Sequence, residues 1–234
     1  MELFDANEKT ETEEKMTEEA KSLMLFDFDG VLVDSLDLYS EAVKLILEKI
    51  GQPVVRNRED YLELFEGNFY ESLAARGVDL LAFADAAKDI LPAMDYRKMK
   101  PFPGLIPVLR SLQKDHLLVV VSSNGSMAIG KALESFAFAP YFRDILGSDF
   151  LFSKREKIAH AISKYGIPPH RTYYIGDTTG DITEAKDAGV ISVAATWGWH
   201  NREKLAAASP DFFVDTPNDL LGLNKKGAFA KNND

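Results

Sequence analysis

The stretch Leu23-Met24-Leu25-Phe26-Asp27-Phe28-Asp29-Gly30 sets the reading of the whole chain. Four consecutive apolar residues are too few for a stable helix and read as a strand buried on both faces. The run stops at two aspartates flanking one phenylalanine. Beyond it, Asp34 and Ser35 can each cap a helix on which Tyr39, Val43, Ile46 and Ile50 recur at helical spacing until Gly51. Pro53, Gly67, Gly77 and Pro92 then punctuate residues 52–100 into several short helices with no strand pattern. A helix carrying Leu105, Leu109 and Leu112 follows Phe102-Pro103-Gly104. Leu117-Leu118-Val119-Val120-Val121 is the strongest buried strand, followed by Ser122-Ser123-Asn124-Gly125 and a helical stretch over 126–138. Ile145-Leu146-Gly147 reads as a short strand, and 154–165 as a helix with Ile158, Ala161, Ile162 and Tyr165 on one face. Tyr173-Tyr174-Ile175 is a strand that ends at Gly176-Asp177, with a helix from Thr179 to Gly189. Ile191-Ser192-Val193-Ala194 and Phe212-Phe213-Val214 are the last strands. Strands separated by helix-length segments predict βαβ units, hence an α/β fold with a parallel sheet covered on both faces.

Composition narrows the chemistry. Of 234 residues, 46% are hydrophobic and 27% charged, the mixture of an ordinary globular chain. Cysteine is absent, which removes a disulfide framework, a zinc-thiolate site and a cysteine nucleophile together and leads us to expect a reducing, cytoplasmic setting. The net charge of −10 repels phosphate backbones, so nucleic acid is not an expected partner. No apolar run reaches the roughly 20 residues of a membrane span, and no apolar stretch behind a basic start marks a secretory signal. Residues 1–22 hold eight carboxylates against three lysines and read as an acidic, mobile leader. The segment after Leu223, 224–234, reads as a loose tail.

Polar residues fall where a parallel sheet binds ligands, outside the carboxyl ends of its strands. Asp27, Asp29, Ser122, Ser123 and Asp177 each stand where a predicted strand stops, and Asp181 lies on the helix start beyond. Carboxylates gathered at one edge repel each other unless a cation or proton intervenes. With oxygen donors and few imidazoles, Mg²⁺ is the natural cation, and Mg²⁺ commonly meets a substrate phosphate. The four histidines (His116, His160, His170 and His200) show no ligand spacing and read as surface or structural groups.

Asp27-Phe28-Asp29-Gly30-Val31-Leu32-Val33-Asp34-Ser35 resembles the first motif of the haloacid dehalogenase-like phosphohydrolase superfamily. The likeness continues in order through a serine after a hydrophobic strand, a lysine, and Gly176-Asp177-Thr178-Thr179-Gly180-Asp181, and covers residues 23–222. In character the chain is similar to the phosphoglycolate phosphatase-like branch. The resemblance implies a Rossmann-like core over 23–35 and 101–223, with a small α-helical cap inserted over 36–100.

Roles follow residue by residue. Asp27 matches the nucleophile that becomes an aspartyl phosphate, and Asp29 the general acid and base. Ser122, favoured over Ser123 by counting to the next helix, matches the hydroxyl that binds a phosphoryl oxygen. Lys154 matches the cation that steadies nucleophile and phosphoryl charge; Lys157 is the runner-up, because the Lys-Pro pair common in the branch is missing. Asp177 matches the metal carboxylate, assisted by Asp27 and the carbonyl of Asp29, with Asp181 in support. Ser123, Asn124, Asn68 and Tyr70 are candidate substrate contacts. The implied activity is Mg²⁺-dependent hydrolysis of a small phosphorylated metabolite, phosphoglycolate-like or a sugar phosphate, by a monomer or homodimer.

Alternatives remain at this stage. A hexose-phosphate mutase keeps both aspartates. A phospho-accepting receiver domain also joins aspartates, a hydroxyl and a lysine, but lacks a long helical insertion. Gly125-Ser126-Met127-Ala128-Ile129-Gly130-Lys131 has the outline of a phosphate-binding loop, yet Ala132 stands where its Mg²⁺ hydroxyl belongs, and Met127, Ile129, Leu133 and Phe136 suit an amphipathic helix.

Overall fold

A computed structural model describes residues 22–223. The acidic leader and the tail expected from the sequence lie outside the described residues, except that Ser22 already belongs to the first strand. In chain order the elements are β1 (Ser22–Phe26), β2 (Val33–Asp34), α1 (Leu36–Lys49), α2 (Arg58–Glu63), α3 (Phe69–Ala75), α4 (Leu80–Ile90), β3 (Lys100–Pro101), α5 (Leu105–Leu112), β4 (His116–Val121), α6 (Ser126–Ser135), β5 (Asp144–Leu146), α7 (Lys154–Tyr165), β6 (Thr172–Gly176), α8 (Thr179–Asp187), β7 (Ile191–Ala195), α9 (Arg202–Ala207) and β8 (Phe212–Val214).

Six strands form one sheet in the order β5-β4-β1-β6-β7-β8, and every pairing is parallel. β1 lies inside it, with Phe26 in register with Val120 on one side and Ile175 on the other. Every residue of β1 and β4 is buried, as their unbroken apolar runs require. Side-chain alternation divides the core in two. Met24, Phe26, Leu118, Val120 and Ile175 face α5, through Leu105 and Leu109, and α6, through Ile129 and Leu133. Leu23, Leu25, Leu117, Val119 and Tyr174 face Ile158 and Ala161 of α7 and Ala185 of α8. From β1 the chain builds outward through β4 and β5, then returns to the other side of β1 as β6. The crevice where strand order reverses therefore opens beside the carboxyl ends of β1 and β6.

Four points differ from the sequence reading. β2 and β3 form a two-stranded antiparallel ribbon, pairing Val33 with Pro101 and Asp34 with Lys100, so the helical segment leaves and re-enters the sheet domain through paired backbone. Two-residue strands carry no periodicity, which hid them. Ser35 occupies the N-cap position of α1 without using its side chain as a cap. α6 ends at Ser135 rather than 138, because Ala137 turns the chain with φ 58°. Ile129 and Leu133 of α6 are buried as expected, but Met127 is 75% exposed and stands outside that face.

The phosphate-loop outline does not survive the fold. The N-terminal N–H of Ser126 already donates to Asp149 Oδ1 at 2.6 Å, so a carboxylate occupies the place of an anion.

Candidate active site

The loop after β1 holds both of its aspartates by short hydrogen bonds. Asp27 Oδ1 accepts from the N–H of Phe28 at 2.7 Å, while its backbone N–H continues the sheet by donating to Ile175 O. Asp29 Oδ1 accepts from the Ser35 hydroxyl and Oδ2 from the Asn124 amide, each at 2.6 Å. Ser35 is a contact the sequence reading missed: it appeared there only as a possible helix cap, and a hydroxyl six residues away reaches Asp29 only because the loop doubles back through Gly30. Gly30 takes φ +73°, and a methyl group on it would stand 1.9 Å from Asp177 Oδ2. Glycine here is a steric requirement of the aspartate opposite.

β6 and the start of α8 bring the second pair. Asp177 is fully buried; its Oδ2 accepts from the Trp199 N–H at 2.7 Å, while Oδ1 has no partner. Asp181 closes a capping box with Thr178, and its Oδ2 also accepts from the N–H groups of Asp177 and Thr178. Gly198 also packs against Asp177, where an added methyl would meet its Cβ at 2.3 Å and the Gly30 carbonyl at 2.5 Å.

α7 supplies the cation. Lys154 Nζ donates to Asp27 Oδ2 at 2.7 Å and to Asp181 Oδ1 at 2.5 Å. Lys157, one turn on and fully buried, donates instead to the backbone O of Ser122 at 2.6 Å. Of the two lysines, Lys154 is thus the one on Asp27. Ser122 is fully buried at the end of β4, and its Oγ accepts from the Asn124 N–H at 3.1 Å, which leaves the hydroxyl proton to be given elsewhere.

The helical segment between β2 and β3 closes over this edge. Backbone carbonyls of Leu62, Phe65 and Glu66 meet His200 Nε2 (3.1 Å), the Gly180 N–H (2.9 Å) and the Thr179 hydroxyl (3.4 Å). Trp199 packs edge-on against Phe65 and tilted against Tyr61. Tyr70 donates to the backbone O of Ser123 at 3.1 Å. Asn68 is committed at both ends of its amide: Oδ1 caps α3 by accepting from the N–H groups of Tyr70 and Glu71, and Nδ2 donates to Glu184 Oε1 at 3.3 Å. Asn68, Tyr70, Ser123 and Asn124 therefore all lie along the seam between this segment and the sheet, held by protein partners.

Oxygens of Asp27, Asp177 and Asp181 lie within 4.8 Å of one another, with Lys154 among them. Burial pushes the Asp27 carboxyl up to about 7, against the pull of Lys154, and that of Asp29 up to about 6. Burial and the charges of Asp181 and Asp27 hold Asp177 well above the usual carboxylate range. Asp181 is also desolvated, but Lys154 and Thr178 outweigh that and keep it low. Lys154 is held well above the ordinary lysine range, because Asp181 and Asp27 outweigh its burial. A buried carboxylate oxygen without a partner, beside two further carboxylates and only oxygen donors, fits a hard divalent cation.

The family model described as haloacid dehalogenase-like hydrolase matches residues 24–195. A phosphoglycolate phosphatase of Synechococcus elongatus is 31% identical over 206 residues, covering 85% of this chain and 94% of that protein. A probable phosphatase of Dickeya dadantii, IndB, is 30% identical, with 86% and 93% covered. Among solved structures, a predicted phosphatase from Clostridium acetobutylicum superposes with a TM-score of 0.75 at 25% identity, covering 86% of this chain and 96% of that one. The family match spans both motif loops and most of the sheet: this chain belongs to the haloacid dehalogenase-like hydrolases.

Proposed function

We propose that this phosphatase hydrolyses the phosphate monoester of a small metabolite through a phosphoenzyme on Asp27, with Mg²⁺ as its cofactor. The observation that carries the reading is the division of labour between two carboxylates one residue apart. Asp27 is paired with a buried cation, whereas Asp29 is held by two neutral donors; burial raises both carboxyls, to about 7 and about 6, and only Asp27 has Lys154 in contact to hold its charge. The first environment suits a nucleophile and the second a group that gives and takes a proton near neutral pH.

A carboxylate oxygen of Asp27 forms the new bond to phosphorus as the ester P–O bond breaks, and protonated Asp29 gives its proton to the departing oxygen. Asp29, now a carboxylate, takes a proton from water as the water oxygen bonds to phosphorus. The bond from Asp27 to phosphorus breaks, and inorganic phosphate leaves. The Ser122 hydroxyl donates to a phosphoryl oxygen. Lys154 balances charge on Asp27 throughout and is itself oriented by Asp181. Asp27, Asp177 and the Asp29 carbonyl would hold Mg²⁺, which supplies positive charge toward the phosphoryl oxygens. The helical segment 36–100 acts as a cap that excludes water and meets the leaving group. Among the described residues no helix is long and apolar enough to cross a membrane.

Similarity to phosphoglycolate phosphatases makes phosphoglycolate the first compound to test, within a panel of phosphorylated acids and sugars. Phosphate release in Mg²⁺ should be seen for at least one of them, and acid quenching should trap phosphate on Asp27. Asp27→Asn keeps the shape and removes the attacking oxygen anion, and should leave only background turnover. Retention of more than a few per cent of wild-type activity in that variant refutes the nucleophile; rearrangement of a hexose phosphate without phosphate release would mark a mutase.

A further inference from the structure

We infer that Glu184 is a positioning residue that ties the seating of the helical cap to the placement of Lys154. The inference rests on the role proposed for Lys154. A single oxygen, Glu184 Oε1, accepts four hydrogen bonds from two different parts of the molecule. Three come from the start of α7: the Lys154 N–H at 2.8 Å, the Ser153 hydroxyl at 3.2 Å and the Arg155 N–H at 3.4 Å. The fourth is the Asn68 side-chain amide at 3.3 Å, which crosses from the cap.

The first N–H groups of a helix have no partner within it, and a carboxylate is the group that best satisfies them. Ser153 performs only part of that task, its Oγ accepting from the Glu156 N–H at 3.4 Å. Glu184 covers the rest and so fixes the backbone from which the Lys154 side chain departs. It stands on α8 three residues after Asp181, on the same side of that helix. The two acids of α8 consequently grip Lys154 at both ends, Glu184 at its backbone N–H and Asp181 at its ammonium. Asn68 is bound into α3 by its own capping bonds, so a shift of the cap at α3 pulls on the oxygen that positions α7. Seating the cap on the sheet completes the placement of the cation on Asp27.

The two ends can be uncoupled. Asn68→Asp preserves the cap of α3, because aspartate is an equally good capping residue, but sets a second carboxylate against Glu184 instead of a donor. Glu184→Gln keeps an acceptor for α7 and gains an NH₂ group. We expect Asn68→Asp to lower kcat roughly 10- to 100-fold, the range for a catalytic group displaced by about an ångström, with a smaller change in KM. Trp199 lies on the cap interface, so its emission should move to the red as the cap lifts. The double variant Asn68→Asp with Glu184→Gln removes the like-charge contact while keeping an acceptor for α7, and should recover part of kcat and shift the emission back toward wild type.

Turnover of p-nitrophenyl phosphate with Mg²⁺ by the unaltered protein is the reference. If neither p-nitrophenyl phosphate nor any compound of the phosphorylated panel is turned over, the proposed phosphatase function fails; if one is, the coupling is tested on its own with that substrate. Wild-type kcat and emission in Asn68→Asp, or losses in the double variant that simply multiply, would overturn the inference. If Asn68→Asp does not fold, Asn68→Ala and Glu184→Gln, singly and together, give the same test. Losses smaller together than their product support coupling, and independent losses refute it.

Discussion

Replacing Asp177 by asparagine should make the metal-free protein more stable while abolishing both its stabilisation by Mg²⁺ and its activity. Asp177 is fully buried, one of its oxygens has no partner, and it shares a space of 4.8 Å with Asp27 and Asp181. At that distance and an effective dielectric constant of about 20, one like-charged pair would cost about 3.5 kcal/mol, which is why the Asp177 carboxyl keeps its proton well above the usual range. Lys154 offsets part of the repulsion from its two partners. The asparagine keeps an oxygen for the Trp199 N–H and turns an NH₂ group toward the carboxylates. A gain of about 1–4 kcal/mol follows for the variant without metal, the range found when buried charged groups give way to uncharged ones of similar volume. For a domain of this size that is a rise of about 2–16 °C in Tm.

The sign with pH is also fixed. The folded carboxyl is held above its unfolded value of 3.8, so between that value and its raised one the native state binds more protons than the unfolded state. Native stability is therefore lost as pH rises through this window, and the asparagine variant is spared that loss. Thermal melts in EDTA at several pH values measure the difference. Saturating Mg²⁺, at about 100 times its Kd, should add about 2.7 kcal/mol to the wild type alone. A variant that melts lower than wild type in EDTA, or that Mg²⁺ still stabilises, would falsify the electrostatic account of this pocket.

Three further outcomes follow from the same geometry. Asp29→Asn removes proton transfer from both half-reactions and should cost about 10²–10⁴-fold for each; pre-steady-state kinetics with a good leaving group should show the phosphoenzyme accumulating, and normal turnover would exclude the role. Gly30→Ala forces a methyl to 1.9 Å from Asp177 Oδ2 in a backbone conformation that alanine resists. Its Mg²⁺ affinity, followed by calorimetry, should fall well before its fold is lost, and unchanged affinity would contradict the packing. Lys157 is lowered from 10.5 to about 8, chiefly by burial, so its charged form costs the native state most below pH 8. Relative to Lys157→Met, the wild type should gain roughly 3 kcal/mol as pH rises from about 8 to 10.5, read from denaturant melts; a difference that stays flat with pH would mean the amine is not desolvated.

The sequence alone determined the layered α/β plan and the edge of the sheet where the candidate site gathers. Unbroken apolar runs such as Leu23 to Phe26 and Leu117 to Val121 can be satisfied only by strands covered on both faces, and that constraint is local. Asp27, Asp29, Ser122 and Asp177 were legible for the same reason: each stands at or within three residues of the end of a predicted strand, and a parallel sheet sends all those ends to one side. The tertiary structure decided what depends on distant pieces meeting. Lys154 and Lys157 both open one helix, and only the crossing of α7 over the sheet puts Lys154 on Asp27, 127 residues away, and Lys157 on a carbonyl. Ser35 reads in sequence as a helix cap and Asn124 as a candidate substrate contact; only the fold shows them converging on Asp29 from 6 and 95 residues away. Asn68 carried no signal of its partnership with Glu184, 116 residues downstream, because a capping asparagine has the same local sequence whatever its amide touches. Hydrophobic periodicity reports which face of an element is buried, whereas the pairing of polar groups across elements follows only from packing.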